Sequence, residues 1–181
     1  MKTAMQWLCT LIACGFVSFA SAQAPAPADG TVLEKDIPIA VTEVAPGLYF
    51  QYHHQESNNA WLVTDDGVLV IDARQHPRRG EELLAAIRET TNKPIKWVVN
   101  THAHGDHHFG NTVFKREGAT FIAHTDTARM MQAHYGLEMK RRMGYFKLQK
   151  YDPGEVKLVM PEVTYDTKMT ITLGGRIVEL M

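Results

Sequence analysis

"IKWVVNTHAHGDHHFGN", residues 95–111, joins an apolar run to four histidines and one aspartate packed between His102 and His108. The run Ile95–Asn100 is short and rich in β-branched residues, and it reads as a strand buried on both faces. Beyond it the spacing carries chemistry. In an extended segment, residues two apart point the same way, so His102 and His104 can present imidazoles to one ion. Gly105 lets the backbone change direction. Asp106 and His107 then diverge from the first pair, which suits them to a second ion close by. Imidazole nitrogens and a carboxylate, with no thiolate, are ligands that zinc, iron and manganese accept.

A helical reading competes, because His104 and His108 are four apart, as in a zinc-protease motif. That mechanism needs a glutamate after the first histidine, and Gly105 stands there; Gly105 and Gly110 also weaken a helix. His108 is therefore expected to line a pocket or lie on the surface rather than bind metal. A cluster of merely solvated loop histidines is disfavoured by the spacing.

Outward from the motif, the pattern alternates. "GLYFQYHH" (47–54) and "NAWLVTDDGVLVIDA" (59–73) read as strands, the second a hairpin turned at Asp65-Asp66-Gly67. Leu83, Leu84 and Ile87 recur at helical spacing, and Pro94 predicts that this helix ends by Asn92 to Lys93. "GATFIAH" (118–124) predicts another strand. Thr125 and Asp126 suit the start of a helix running to about Met143, with Met130, Met131, Met139 and Met143 as core packing. "MTITLGGRIVELM" (169–181) reads as a hairpin turned at Gly174-Gly175. Strands alternating with helices, with hairpins at both ends, give an α/β class with a mixed sheet.

The 181 residues, 45% hydrophobic and 22% charged, suffice for one domain. Residues 1–22 carry a lysine near the start, an apolar run from about Trp7 to Phe19 and small residues at Ala20 and Ala22, as a secretory signal peptide does. The run is shorter than the roughly 20 residues of a spanning helix, so no stable membrane anchor is expected. "LIAC" (11–14) also fits a lipoprotein cleavage site, a minor alternative. Either cleavage removes Cys9, and cleavage after Ala22 removes Cys14 as well, leaving no thiol in the mature chain. Residues 23–31, rich in alanine and proline, form a linker, and the domain is expected over 32–181. The location implied is periplasmic or secreted. Net charge is −1, or −2 without Lys2, so no nucleic-acid partner is expected. The basic cluster Lys140, Arg141, Arg142, Lys147 and Lys150 reads as solvated surface.

"THAHGDH" (101–107) resembles the His-x-His-x-Asp-His signature of the metallo-β-lactamase superfamily. The "VTEVAPGLYF" opening, the hairpin ending at Asp72, the "GATFIAH" strand and the "LGGRIVEL" hairpin resemble that fold in order, from Val41 to Met181. The resemblance implies the first half of an αββα sandwich. It assigns His102 and His104 to one metal, Asp106 and His107 to a second, and Asp72 to steadying the motif. Further ligands lie later in relatives, and His124 and His134 do not match them. The expectation is a piece of a longer protein, with "RIVEL" left as an uncovered apolar strand.

The resemblance further implies two zinc ions, a bridging hydroxide as nucleophile, and Asp106 both as ligand and as proton acceptor. The expected substrate is a small molecule with an ester, thioester, lactone or β-lactam carbonyl. Two other readings stay open: a single-iron persulfide dioxygenase of the same fold, and a metal-binding module without catalysis. The oligomeric state is not legible.

Overall fold

The computed structural model describes residues 40–53 and 56–181. The signal peptide, the linker and the domain start at Val32 lie outside the described residues. Seven strands form one sheet: β1 (Val41–Ala45), β2 (Leu48–Gln51), β3 (Asn59–Thr64), β4 (Gly67–Ile71), β5 (Ile95–Asn100), β6 (Thr120–His124) and β7 (Val163–Tyr165). They stand side by side in chain order, β1 to β4 antiparallel and β4 to β7 parallel. A separate pair, β8 (Met169–Leu173) and β9 (Arg176–Leu180), forms the late hairpin. The α/β class and the mixed sheet are as expected.

Side-chain alternation explains why both sheet faces are covered. Val68 and Val70 of β4, Val98 of β5 and Phe121 of β6 point to one face and pack with Leu83 and Ile87 of α1 (Pro77–Thr90) and with Val113 and Phe114 of α3 (Asn111–Arg116). Their neighbours Leu69, Val99 and Ile122 point to the other face and meet Ile171 and Leu173 of the hairpin. A buried Leu or Ile of this kind contributes about 1.5–3 kcal/mol. Within β5, Lys96 is exposed and Trp97 half-buried, so burial on both faces holds for most of that strand rather than all of it. "RIVEL" is partly covered: Val178 and Leu180 pack on the second face, while Ile177 is 71% exposed.

Helix α4 (Thr125–Leu148) outruns the expected end at Met143 by more than a turn. It begins at the expected Thr125, and its N-cap is His124, whose Nδ1 accepts from the Asp126 N–H at 3.1 Å. Of its methionines, Met131 is buried and Met139 packs against Phe109, Phe146 and Val156. Met130 and Met143 are 39% and 45% exposed and are not core. Met130 is exposed because it neighbours Met131, which takes the inward position of that turn.

His76 caps α1: its Nδ1 accepts from the Arg78 N–H at 3.2 Å and its Nε2 faces the Asp152 carbonyl at 3.1 Å. The ring is fully buried and stacks on Tyr151 at 4.3 Å. Burial pushes its pKa below the ordinary value. The neutral ring makes the cap, so its contribution is complete above about pH 6.5 and is lost as pH falls toward the lower folded-state pKa. His76→Asn keeps a capping acceptor that does not titrate. Its urea midpoint is expected to drop less between pH 7.5 and pH 5 than that of the wild type; an equal drop in both would exclude His76 as an acid-sensitive group.

Gly110 sits where a Cβ would lie 1.9 Å from the Ala73 carbonyl oxygen. Its own N–H donates to the Arg74 carbonyl at 3.0 Å, so the loops after β4 and β5 are in backbone contact there. Gly110→Ala is expected to cost about 3 kcal/mol or more, because neither backbone can retreat without losing that bond. Thermal unfolding within a degree or two of wild type would disprove the close approach.

Candidate metal centre

The histidine motif and Asp72 lie at the carboxyl ends of the neighbouring parallel strands β5 and β4, where open α/β sheets offer a crevice. Asp72 follows β4 with a left-handed backbone, φ 60°. Its Oδ1 accepts from the Thr101 N–H at 2.8 Å, and its Oδ2 accepts from the Thr101 hydroxyl at 2.7 Å and faces His107 Nδ1 at 2.6 Å.

These contacts dictate tautomers. Asp72 can only accept from His107, so His107 carries a proton on Nδ1, and its neutral ring has the lone pair on Nε2. The Thr101 hydroxyl spends its one proton on Asp72, so its 3.0 Å contact with His102 Nδ1 has the histidine donating. His102 too is left with a bare Nε2. The rings of His102 and His107 lie 3.8 Å apart by centroid, and those of His102 and His104 4.8 Å. Burial, and then the neighbouring His107, push the His102 pKa down, so the neutral ring is favoured.

A helix does begin inside the motif. Gly105–His108 forms the single turn α2, with His104 at its N-cap. The turn carries His108 inward, where it is 1% exposed and its Nε2 bonds the Ala103 carbonyl at 3.3 Å. Burial lowers its pKa to about 4. His108 is thus buried packing, neither a surface residue nor directed toward the other imidazoles.

Helix α4 supplies what sequence reading missed. The Glu138 carboxylate accepts from the Gly105 N–H at 3.1 Å and thereby caps α2 from outside. Burial pushes the Glu138 carboxyl up, but the Gly105 N–H and Arg141 outweigh it and hold it below the usual range. One turn on, Arg142 pairs with Asp106 Oδ1. Arg142, 23% exposed, therefore does not belong to a solvated basic face and holds a carboxylate of the motif, while Arg141 stays on the surface, 57% exposed, as it pairs with Glu138. A buried amide pair, Asn100 with Asn111, ties the end of β5 to α3 at 2.8 and 3.2 Å. Ser57 donates to the Asp106 carbonyl at 2.7 Å. An acidic and a basic residue four apart on one helix were the only sequence signal for Glu138 and Arg142.

Beside the motif lies a cavity of about 300 Å³ lined by His102, His104, Met130, His134, Leu137 and Arg141 among others. His134 borders it without joining the motif's hydrogen bonds. His124 caps α4 and bonds the Asp166 carbonyl at 2.6 Å, away from the cluster.

Among the described residues, no three His, Cys, Asp or Glu side chains converge on one point. The His102 ring lies between those of His107 and His104, at 3.8 and 4.8 Å by centroid, and Asp106 Oδ2 and His107 Nε2 stand as a pair 3.7 Å apart. A separation of that order, together with nitrogen and oxygen donors, fits a divalent ion with ligand bonds of about 2.0–2.2 Å. That pair alone is an incomplete ligand set.

A profile of the metallo-beta-lactamase superfamily matches residues 55–175. Among solved structures, the chain is similar to a metallo-beta-lactamase from Pontibacter korlensis, with 22% identity and a TM-score of 0.55 over 78% of this chain and 59% of that one. It is similar to the FEZ-1 metallo-beta-lactamase from Legionella gormanii, with 16% identity and a TM-score of 0.59 over 77% of this chain and 51% of that one. It is also similar to the stereoselective inverting sec-alkylsulfatase Pisa1 from Pseudomonas sp., with 19% identity and a TM-score of 0.59 over 78% of this chain and 27% of that one. The chain therefore spans between about a quarter and three fifths of these proteins. With a family profile covering most of its length, and with the family's signature seated at the strand ends where this fold carries it, the chain belongs to the metallo-beta-lactamase superfamily.

Proposed function

We propose that the chain is the histidine-motif part of an exported, zinc-dependent hydrolase that cleaves an ester, thioester, lactone or β-lactam carbonyl in a small molecule. The observation that carries this reading is the pair of hydrogen bonds that load Nδ1 of both His102 and His107 and so leave both Nε2 atoms as ligands. His102 and His104 would hold one zinc, and Asp106 and His107 a second. When bound, zinc would polarise the substrate carbonyl and make water acidic enough to serve as nucleophile near neutral pH.

The chain's own residues do the rest. Asp72 and Thr101 fix the orientation of the His102 and His107 rings, so less rotamer entropy is spent on forming the site. Asp106 offers a carboxylate oxygen as proton acceptor beside the reacting water. Met130 and Leu137 give the adjacent cavity an apolar wall, which suits the acyl part of a substrate. The named relatives include lactamases and an alkylsulfatase on one fold, so the choice of substrate rests on assay rather than on architecture. Export is inferred from residues 1–22 alone; among the described residues no helix is long and apolar enough to cross a membrane.

Metal analysis of the full-length protein is expected to find two zinc ions, and a panel of ester, thioester, lactone and β-lactam substrates to find turnover of at least one. A single iron with persulfide oxidation, or metal without turnover, would replace this reading. His102→Ala and His104→Ala are expected to lose metal and hydrolysis, while His108→Ala keeps its metal and melts lower. Metal loss from His108→Ala equal to that from His102→Ala would overturn the ligand assignment.

Two carboxylates separate by kinetics. Asp106→Asn should lower kcat far more than it raises KM, since it removes a proton acceptor near the reacting atoms. Asp72→Asn should weaken metal binding by about 10–100-fold, because it loosens the ring it orients. A chelator titration in which Asp72→Asn matches wild type would sever Asp72 from the site.

A further inference from the structure

Asp106 and His107 face each other across 3.7 Å through Oδ2 and Nε2, and each is anchored at its other polar atom. For His107 the anchor is Asp72 on Nδ1. For Asp106 it is Arg142 on Oδ1, reached from the middle of α4. Both side chains of that second pair are mostly buried, at 23% and 17% exposure, so the contact is not a solvent-screened surface bridge. Arg142 is itself placed by the helix register, one turn after Glu138, which grips the Gly105 N–H of the same motif. Resting on the metal reading above, we propose that Arg142 is a positioning residue for the second ion. It occupies one carboxylate oxygen of Asp106 so that the other is held toward His107 Nε2.

Two effects of Arg142 on a cation oppose each other, and their difference in sign makes the proposal testable. A guanidinium near the site repels a cation, so removing it should tighten binding if charge dominates. Removing it also frees the Asp106 carboxylate to rotate away from His107, which should loosen binding if orientation dominates. The partner on a ligating carboxylate typically matters by about 10–100-fold in metal affinity. Orientation is expected to prevail, because Asp72 already shows the same anchoring on the facing ligand.

The experiment titrates the metal-stripped full-length protein with cobalt(II), read by its visible d–d absorption, with zinc competition to convert the signal to affinity. Wild type is expected to bind in two resolvable steps. Arg142→Gln should keep the first step and weaken the second by about 10–100-fold. Arg142→Lys, which keeps the charge without the planar fork, should weaken the second step less. Arg129→Gln removes the same charge from α4, where Arg129 pairs with Asp126, and should leave both steps unchanged. If Arg142→Gln unfolds early, Arg142→Lys decides alone, and an unaltered second step in it overturns the proposal. Tighter or unchanged binding in Arg142→Gln overturns it too, while leaving the metal reading intact. A wild-type protein that takes up no cobalt overturns both.

Discussion

Asp72 is the joint between the two loops that make the site. Its three hydrogen bonds lock the turn after β4 to Thr101 and His107 beyond β5. The residue adopts a left-handed backbone at a cost of about 1–3 kcal/mol. Hydrogen bonds to a charged group contribute about 1.5–3 kcal/mol each, so three of them outweigh that cost. The strained turn is tolerable because the motif is there to receive it, and the motif's rings are ordered because the turn is there. Ala73, donating to the His107 carbonyl at 2.8 Å, extends the same joint into the backbone.

The site is held from two sides by different means. From the sheet, Asp72 and Thr101 set which ring nitrogens are bare. From the helix layer, Glu138 and Arg142 hold the start of α2 and the Asp106 carboxylate. Helix α4 buries few of its residues, among them Thr127, Ala128, Met131, Glu138 and Phe146. A helix committed only to packing would turn an apolar stripe inward. This one directs part of its charge inward instead, and its hydrophobic contacts with Phe109 lie just past the motif.

Much of this was legible from residue order. The apolar, β-branched composition of "IKWVVN" marked a strand covered on most of both faces, and the Asp65-Asp66 and Gly174-Gly175 turns marked both hairpins, because turn chemistry and burial are local properties. The pairing of Asp72 with the motif came from resemblance, since 35 residues separate Asp72 from His107 and no periodicity connects them. Arg142 and Glu138 were hidden inside a charged helix, where the sequence does not say which turn faces the sheet. β7 escaped notice because three residues give no pattern to count. The turn of helix at Gly105 escaped because its cap comes from a distant carboxylate rather than from the preceding residue.

The spatial order of the sheet repeats the chain order without a single exchange, from β1 to β7. Each new strand therefore adds to a free edge already in place, and no early strand waits for a late one to be inserted beside it. Such a sheet keeps its pairings between sequence neighbours, which lowers the loop-closure cost of each one. The consequence falls on distance along the chain: Asp72 and the histidines follow strands adjacent in both sequence and space, so the carboxylate and the rings it orients meet across a single strand-to-strand step.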